Sequence, residues 1–347
     1  MFLKAAAARL AQAGVSSPMV DAQLLAGHVL GLSRGEVQAK AVSGADIEQL
    51  AVHTGGQRTI SPGLQRESRC RADQILQLVE ERAQRVPLQH LTGLAPFRTL
   101  ELRVGPGVFI PRPETETVVG LVLEQLTRIT EQGSIGPRVA DLGTGSGAIA
   151  ASIAAEFPAA EVHAVEVSRQ AAAWAQLNFD QLPPGSAEVT LHHCDLRDFP
   201  ARSASSAGIS PPVTGSGRRD PDTRWQRTGP FDVVVSNPPY IPEAMVPAEQ
   251  EVHEHDPQIA LYGGGEDGLE LPRAVIDTAK QILVPGGWLI LEHAEVQAEA
   301  LRRICTADPE LTKPVTHQDL SGRDRSTSTR LASGLHEAAM TPPAAAA

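Results

Sequence analysis

Residues 139–154, VADLGTGSGAIAASIA, read as an apolar strand, a glycine-rich turn and a helix. Gly143, Gly145 and Gly147 let the backbone turn sharply and let a ligand approach it closely. Such a turn lies at the carboxyl end of a sheet, where open α/β folds bind their ligands. The spacing is GxGxG, not the GxGxxG of dinucleotide sites, and no lysine follows to grip a phosphate. The next strand, EVHAVEV (161–167), carries Glu166 nineteen residues beyond Gly147. An acidic side chain at about that distance commonly accepts hydrogen bonds from ribose hydroxyls. Capping of the following helix is the other reading of Glu166.

A third strand ends in His192, His193, Cys194 and Asp195. Asp195 is then placed to meet an adenine amino group, and Leu196 to line a base pocket. A metal site on the two histidines and the cysteine is opposed by strand geometry, because consecutive residues point to opposite faces. The fourth strand, FDVVVS (231–236), exits into Asn237, Pro238, Pro239 and Tyr240. Two prolines stiffen the backbone and remove two donors, leaving carbonyls that only accept. The Asn237 side-chain oxygen and the Pro238 carbonyl can each take one hydrogen of a planar –NH2 group, on which Tyr240 can stack. A rigid strand exit with a capping asparagine is the competing reading.

Strands at 138–142, 161–167, 188–194 and 231–236 alternate with helices at about 115–131, 147–156, 168–180 and 269–283. That order predicts a parallel sheet with helices on both faces. The strand WLILE (288–292), a helix at about 295–306, and strands at 313–320 and 325–332 extend it. Residues 1–90 read as a helical domain. Ser17-Pro18 has the form of a helix start, Ser33 and Glu36 have capping-box spacing, and residues 67–84 carry Ile75, Leu78, Val79 and Ala83 as an apolar stripe. A polar stretch at 43–63 interrupts this domain. FRTLELRV (97–104) alternates apolar and polar residues, which predicts one strand of a hairpin within a linker at 91–107. The second domain is expected to span 108–332. Its Ser/Pro/Gly/Arg-rich insertion at 201–229 reads as exposed and mobile, and the tail at 333–347 as disordered.

At about 150 residues per domain, 347 residues agree with two domains. Net charge is −11, with +2 on residues 1–90 and −13 on the remainder. Proteins held on nucleic acid through phosphates are usually basic, so no direct DNA binding is expected. Cys70, Cys194 and Cys305 form neither a disulfide framework nor a zinc pattern, which points to the cytoplasm. No apolar run approaches the roughly 20 residues of a membrane span.

The glycine turn, the acidic second strand and NPPY together resemble adenosylmethionine-dependent methyltransferases acting on amino nitrogens. VFIPRPETE (108–116), PLQHLTG (87–93), DPQIALYGGGEDGLE (256–270), PGGWLILEH (285–293) and SGRDR (321–325) narrow the resemblance to the release factor glutamine methyltransferases. The likeness covers most of residues 1–332. It implies an α/β fold: a seven-stranded, Rossmann-like methyltransferase domain behind a small N-terminal helical domain that engages the partner. It implies methyl transfer from S-adenosyl-L-methionine to the side-chain amide of the glutamine in the Gly-Gly-Gln motif of peptide chain release factors.

On that pattern Gly143, Thr144, Gly145, Ser146, Gly147 and Glu166 bind the cofactor, with Asp195 and Leu196 on its base side. Asn237 lies between cofactor and substrate. Asn237, Pro238, Pro239 and Tyr240 hold the glutamine, with Asn237, Pro238 and Tyr240 as the catalytic set. Pro111, Arg112 and Glu116 belong to a loop closing over the site, where Arg112 and Glu116 contact the substrate. No metal is expected. The chain departs from the family at RSTSTRLA (325–332), polar where an apolar stretch is usual, and at His255-Asp256 before Pro257. A DNA or RNA amino-group methyltransferase would use the same NPPY site and is the alternative. Gly55, Gly56 and Gln57 reproduce the target tripeptide inside the polar stretch, which chance explains.

Overall fold

The structure, a computed structural model, describes residues 2–43, 62–200, 230–247 and 249–333. Most of the polar stretch with Gly55–Gln57, the 201–229 insertion and nearly all of the tail lie outside the described residues. The chain divides into two compact units: Met1–Leu94 with Val104–Pro106 and Pro247–Asp256, and the remainder.

In the first unit, α1 (Phe2–Gln12), α2 (Pro18–Leu30), α3 (Arg34–Val42) and α4 (Pro62–Ala83) surround a core that includes Leu10, Leu25, Ala26 and Ile75. The Ser33–Glu36 capping box forms as its spacing predicts. Ser17 stands at the start of α2, but its side chain makes no capping hydrogen bond; Pro18 supplies the fixed φ. Helix α4 starts earlier than the apolar stripe indicates, at Pro62, because proline is well suited to a first turn. A short helix, Gln250–His255, belongs to this unit although it is distant in sequence. Arg82 donates to Asp21 at 2.8 Å and to Glu251 at 2.9 Å, and Arg85 reaches Glu251 at 2.6 Å. Charge pairing across such sequence distances has no local signature.

The second unit opens with a hairpin, β1 (Leu94–Phe97) and β2 (Leu100–Arg103). The predicted hairpin forms, but its strand does not run over all of 97–104: the chain reverses at Arg98, whose φ is 52°, and the second strand holds only Leu100–Arg103. Tertiary contacts hold that turn. Arg98 grips Glu156 through Nε and Nη2 at 2.6 and 2.7 Å, and its backbone N–H donates to Glu116 Oε1 at 3.0 Å. Both partners of the ion pair are only about one-fifth exposed. Arg98→Ala is expected to lower unfolding free energy by about 1–2 kcal/mol, read from urea midpoints at unchanged slope.

Beyond the hairpin come α5 (Thr115–Glu131), β3 (Arg138–Leu142), α6 (Ala148–Glu156), β4 (Glu161–Glu166), α7 (Arg169–Phe179), β5 (Val189–His193) and β6 (Phe231–Ser236). Next are α8 (Glu270–Ile282), β7 (Leu283–Glu292), α9 (Ala298–Ala307), β8 (Val315–Gln318) and β9 (Asp324–Arg330). Seven strands form one sheet in the order β5-β4-β3-β6-β7-β9-β8. The pairs from β5 to β7 are parallel, and β9 runs antiparallel to both its neighbours. Alternate strand residues serve opposite faces. Val139, Val233 and Val235 pack toward α5 and α6, whereas Ala140, Leu142 and Val234 pack toward α8 and α9.

Two strand assignments change. WLILE is the end of a longer β7, which begins at Leu283, and a register shift accommodates the Pro-Gly-Gly step. The polar β9 is fully paired: Ser326, Thr327, Ser328 and Thr329 are all at most 5% exposed. Local acceptors and donors serve three of its hydroxyls, while Ser326 Oγ is buried without a partner among the described residues. Thr329 donates to the Thr312 carbonyl at 2.8 Å, while Ser328 and Thr327 meet His317 and His293 at 2.8 and 2.9 Å. Among the described residues no helix is long and apolar enough to cross a membrane.

Candidate active site

Strands β3 and β6 are adjacent and parallel, with Asp141 opposite Val235. The order reverses between them, with β4 and β5 on one side and β7 on the other. This switch point opens a crevice at the carboxyl ends of the strands. The glycine turn leaves β3 there and NPPY leaves β6. Ser236 Oγ ties the two exits by donating to the Leu142 carbonyl at 2.5 Å.

The turn needs its glycines for different reasons. Gly143, Gly145 and Gly147 have φ of 77°, 58° and 83°, a region that costs other residues about 1–2 kcal/mol. A Cβ at Gly147 would also lie 2.6 Å from the Phe179 ring, whereas one at Gly143 or Gly145 would project into open space. Glu166 lies against this turn. Its Oε2 accepts from Gly145 N and its Oε1 from Ser168 N, both at 2.8 Å. Glu166 therefore braces the turn and the start of α7. Burial raises its pKa, against the backbone hydrogen bonds.

Asp141 was not singled out from the sequence. It is fully buried, accepts from Thr144 Oγ1 at 2.6 Å and from Ala150 N at 3.2 Å, and leaves Oδ1 without a partner. Burial pushes its pKa up to about 7. An aspartate within an apolar strand directly before the glycines was the available signal. Asn178 was missed as well. Its amide joins the Ser146 carbonyl, at 2.8 Å, to both backbone groups of Arg103. Two buried carboxylates against the turn suit a ligand with hydroxyls and positive charge, not one with phosphates.

At the β5 exit, Asp195 is half-buried and directs both oxygens to Arg197, at 2.9 and 3.2 Å. Leu196 packs on the α8 face of the sheet, and its carbonyl faces the Thr278 hydroxyl at 3.4 Å. His192 and His193 separate as strand geometry requires. The first stacks on His163 in the core, and the second reaches the Val167 carbonyl from the surface.

NPPY is held from below. A Cβ at Gly263 would lie 2.0 Å from the Gly268 carbonyl, and one at Gly268 would lie 2.3 Å from the Tyr240 carbonyl. The glycine-rich loop 262–268 can thus press directly on the strand exit. Ile241 exchanges backbone hydrogen bonds with Leu261 and Gly263 at 2.9 and 3.0 Å. Gln297, buried at the end of the β7–α9 connection, donates to the carbonyls of Tyr240 and Asp267 at 2.7 and 2.9 Å. Sequence reading found this loop only as a motif; the contact explains its glycines.

Pro238 is buried, while Asn237, Pro239 and Tyr240 are half-buried. Asn237 Nδ2 donates to Thr115 Oγ1 at 3.2 Å. Among the described residues no protein donor reaches Asn237 Oδ1 or the Pro238 carbonyl. Burial foremost, then the charge of Glu292, raises the Tyr240 phenol pKa. Arg112 sits 4.9 Å from the centroid of the Phe109 ring and is near enough to Tyr240 to act on it electrostatically. Glu116 stands apart from this group, with Oε1 committed to the Arg98 turn.

Comparison with known proteins adds to this geometry. Residues 2–52 match the family model described as PrmC N-terminal domain, and residues 139–210 match a methyltransferase domain model. The chain is 36% identical to the release factor glutamine methyltransferase of Bifidobacterium longum, over 92% of this chain and 95% of that protein. It is 38% identical to the enzyme of the same name from Streptomyces coelicolor, over 93% and 95% of the two chains. The Deinococcus radiodurans protein of that name is 37% identical, over 96% and 98%.

Proposed function

This chain belongs to the release factor glutamine methyltransferases, and from that premise we propose that it methylates the glutamine side-chain amide in the Gly-Gly-Gln motif of a peptide chain release factor. The cofactor is S-adenosylmethionine, and the work is cytoplasmic. The observation that carries this reading is the pair of acceptors at the β6 exit. Among the described residues no protein donor reaches Asn237 Oδ1 or the Pro238 carbonyl, beside the glycine turn. A primary carboxamide offers two hydrogens to such a pair.

The residues at the turn fit the cofactor. Gly143 and Gly145 leave open space where a side chain would stand, Glu166 can accept from ribose hydroxyls, and Asp141 carries an unpaired buried oxygen. Asp195 and Leu196 are assigned to its base side. When bound, S-adenosylmethionine supplies an activated methyl group on a sulfonium. The chain's own task is placement. An amide nitrogen is a weak nucleophile because its lone pair is delocalised into the carbonyl. Asn237 and Pro238 grip both hydrogens, orient the nitrogen, and stabilise the positive charge that develops on it. Orientation of this kind can supply roughly 7–11 kcal/mol. Tyr240 offers a face for the carboxamide plane, and Arg112 is assigned to the loop that borders the bound peptide. No side chain at the strand exit is placed as a general base, so proton loss follows methyl transfer.

Mass spectrometry of a purified release factor after incubation with enzyme and S-adenosylmethionine tests the reading. A gain of one methyl at the Gly-Gly-Gln glutamine is expected. Transfer to duplex DNA with none to the release factor would overturn it. Gly145→Ala separates the cofactor role from folding. Its Cβ enters open space at φ 58°, so stability should fall by only about 1 kcal/mol. Calorimetry should show S-adenosylmethionine affinity falling about tenfold or more.

A further inference from the structure

NPPY is short of donors. Pro238 and Pro239 have no N–H, so the strand exit cannot be pinned there through its own backbone hydrogens. What holds it must reach its carbonyls or press on it from outside. Among the described residues one side chain donates to a backbone carbonyl of residues 237–240, and it is Gln297.

The Gln297 amide is spent completely. Its nitrogen carries two hydrogens, which go to the Tyr240 carbonyl at 2.7 Å and the Asp267 carbonyl at 2.9 Å. Its oxygen accepts from Ala294 N at 3.1 Å. All three partners are backbone groups of fixed polarity, so the amide fits only one way round. The residue is buried, so water offers no ready substitute.

The oxygen caps the turn that starts after Ala294. A cap needs no more than that oxygen. The two hydrogens tie the β6 exit to the glycine-rich loop. The peptide between Tyr240 and Ile241 is thereby held at both polar groups, its C=O by Gln297 and its N–H by the Leu261 carbonyl at 2.9 Å. Gly263 closes on the same stretch: a Cβ there would lie 2.7 Å from the Pro239 carbonyl. The rings of Pro238 and Pro239 fix φ, so little torsional freedom separates the Pro238 carbonyl from this anchored peptide.

We propose that Gln297 is a positioning residue for methyl transfer: by tying the Tyr240 and Asp267 carbonyls together it fixes the Pro238 carbonyl and the Tyr240 ring where the substrate –NH2 group is held. The proposal rests on the reading that NPPY grips a carboxamide. Gln297 acts through Tyr240 and not on the substrate itself. Its effect falls on alignment, and so on kcat more than on KM or cofactor affinity.

The test uses the full chain with a release factor and S-adenosylmethionine. Gln297→Glu separates the cap from the tether. It keeps an oxygen for Ala294 N and nearly the same volume. Ionised, it sets a carboxylate against two carbonyls and donates nothing; protonated, it regains one hydrogen. Burial favours the protonated form and raises the pKa of the introduced carboxyl. Its kcat, divided by that of wild type at the same pH, should therefore fall about tenfold or more between about pH 5.5 and pH 8. Gln297→Met has neither the oxygen nor the hydrogens. It should lose about 10- to 100-fold in kcat at both pH values, with release factor KM and S-adenosylmethionine affinity within about threefold. Calorimetry with S-adenosylmethionine counts the folded sites, so each kcat is taken per competent site.

A Gln297→Glu ratio that stays constant with pH would overturn the proposal, because a cap survives that substitution in both protonation states. So would Gln297→Met within twofold of wild type, or loss of cofactor binding in both variants, which would mark a role in the whole fold. Absence of transfer by the wild-type chain would instead strike the underlying function. Hydrogen exchange at the Ile241 amide would then still decide the tether: relative to wild type at each pH, protection should be lost in Gln297→Met and recovered in Gln297→Glu only in acid.

Discussion

Asn237→Ala is expected to cut methyl transfer by roughly 10²–10³-fold while S-adenosylmethionine affinity changes by less than about threefold. Removal of the amide takes away one of two acceptors for the substrate –NH2 and leaves Pro238 alone to hold it. The loss falls on the transition state, because the acceptor gains strength as positive charge develops on the nitrogen. It should therefore appear in kcat more than in KM. Folding should be little affected. Asn237 is half-buried and makes one side-chain hydrogen bond, to Thr115. The glycine turn and Glu166 do not depend on that bond, so the cofactor site stays intact. Single-turnover transfer and calorimetry on the same preparation check both halves. Near-normal turnover would remove NPPY from the mechanism.

Gly268→Ala is expected to cost about 2–4 kcal/mol of stability and at least tenfold in turnover. Two effects combine. The residue has φ 70°, and its new Cβ would lie 2.3 Å from the Tyr240 carbonyl and 2.7 Å from Pro242 N. Both neighbours are backbone, so no flexible side chain can move aside. Relief comes only by displacing the strand exit or the loop, and either shifts Asn237 and Pro238 relative to the glycine turn. A misplacement of about 1 Å can cost 10²-fold in an oriented reaction. Urea midpoints measure the first loss and single-turnover rates the second. Gly145→Ala is the control for stability, because its Cβ meets nothing within 4 Å. If Gly268→Ala lost no more stability than Gly145→Ala, the loop would not be the support described for NPPY.

The site was legible in its parts. Strand, glycine turn and helix over 138–156, and the β6 strand ending at Ser236, follow from patterns only a few residues long. Helix α5 begins and ends where its periodicity places it, Thr115 to Glu131. The hairpin was legible but its strand bounds were not, because FRTLELRV alternates through a turn that has no Gly, Asn or Pro. Arg98 adopts positive φ there because Glu116 and Glu156, distant in sequence, hold it. The polarity of β9 gave no sign that the strand is paired on both edges. Thr327, Ser328 and Thr329 bury their hydroxyls at little cost only because His293, His317 and Thr312 arrive to bond them.

Local chemistry alone determined where the glycine turn and the proline-rich strand exit lie, and why the chain is an α/β protein with a helical first unit. A glycine at positive φ and a proline without an N–H act through their own backbone, so their meaning travels with the sequence. Which way the Asn237 amide faces was decided only by folding. So were the buried state of Asp141 and the pressure of Gly268 on Tyr240. Each depends on groups from separate strands, helices and loops meeting out of water. Burial there shifts an acid, an effect that does not exist until the chain has closed.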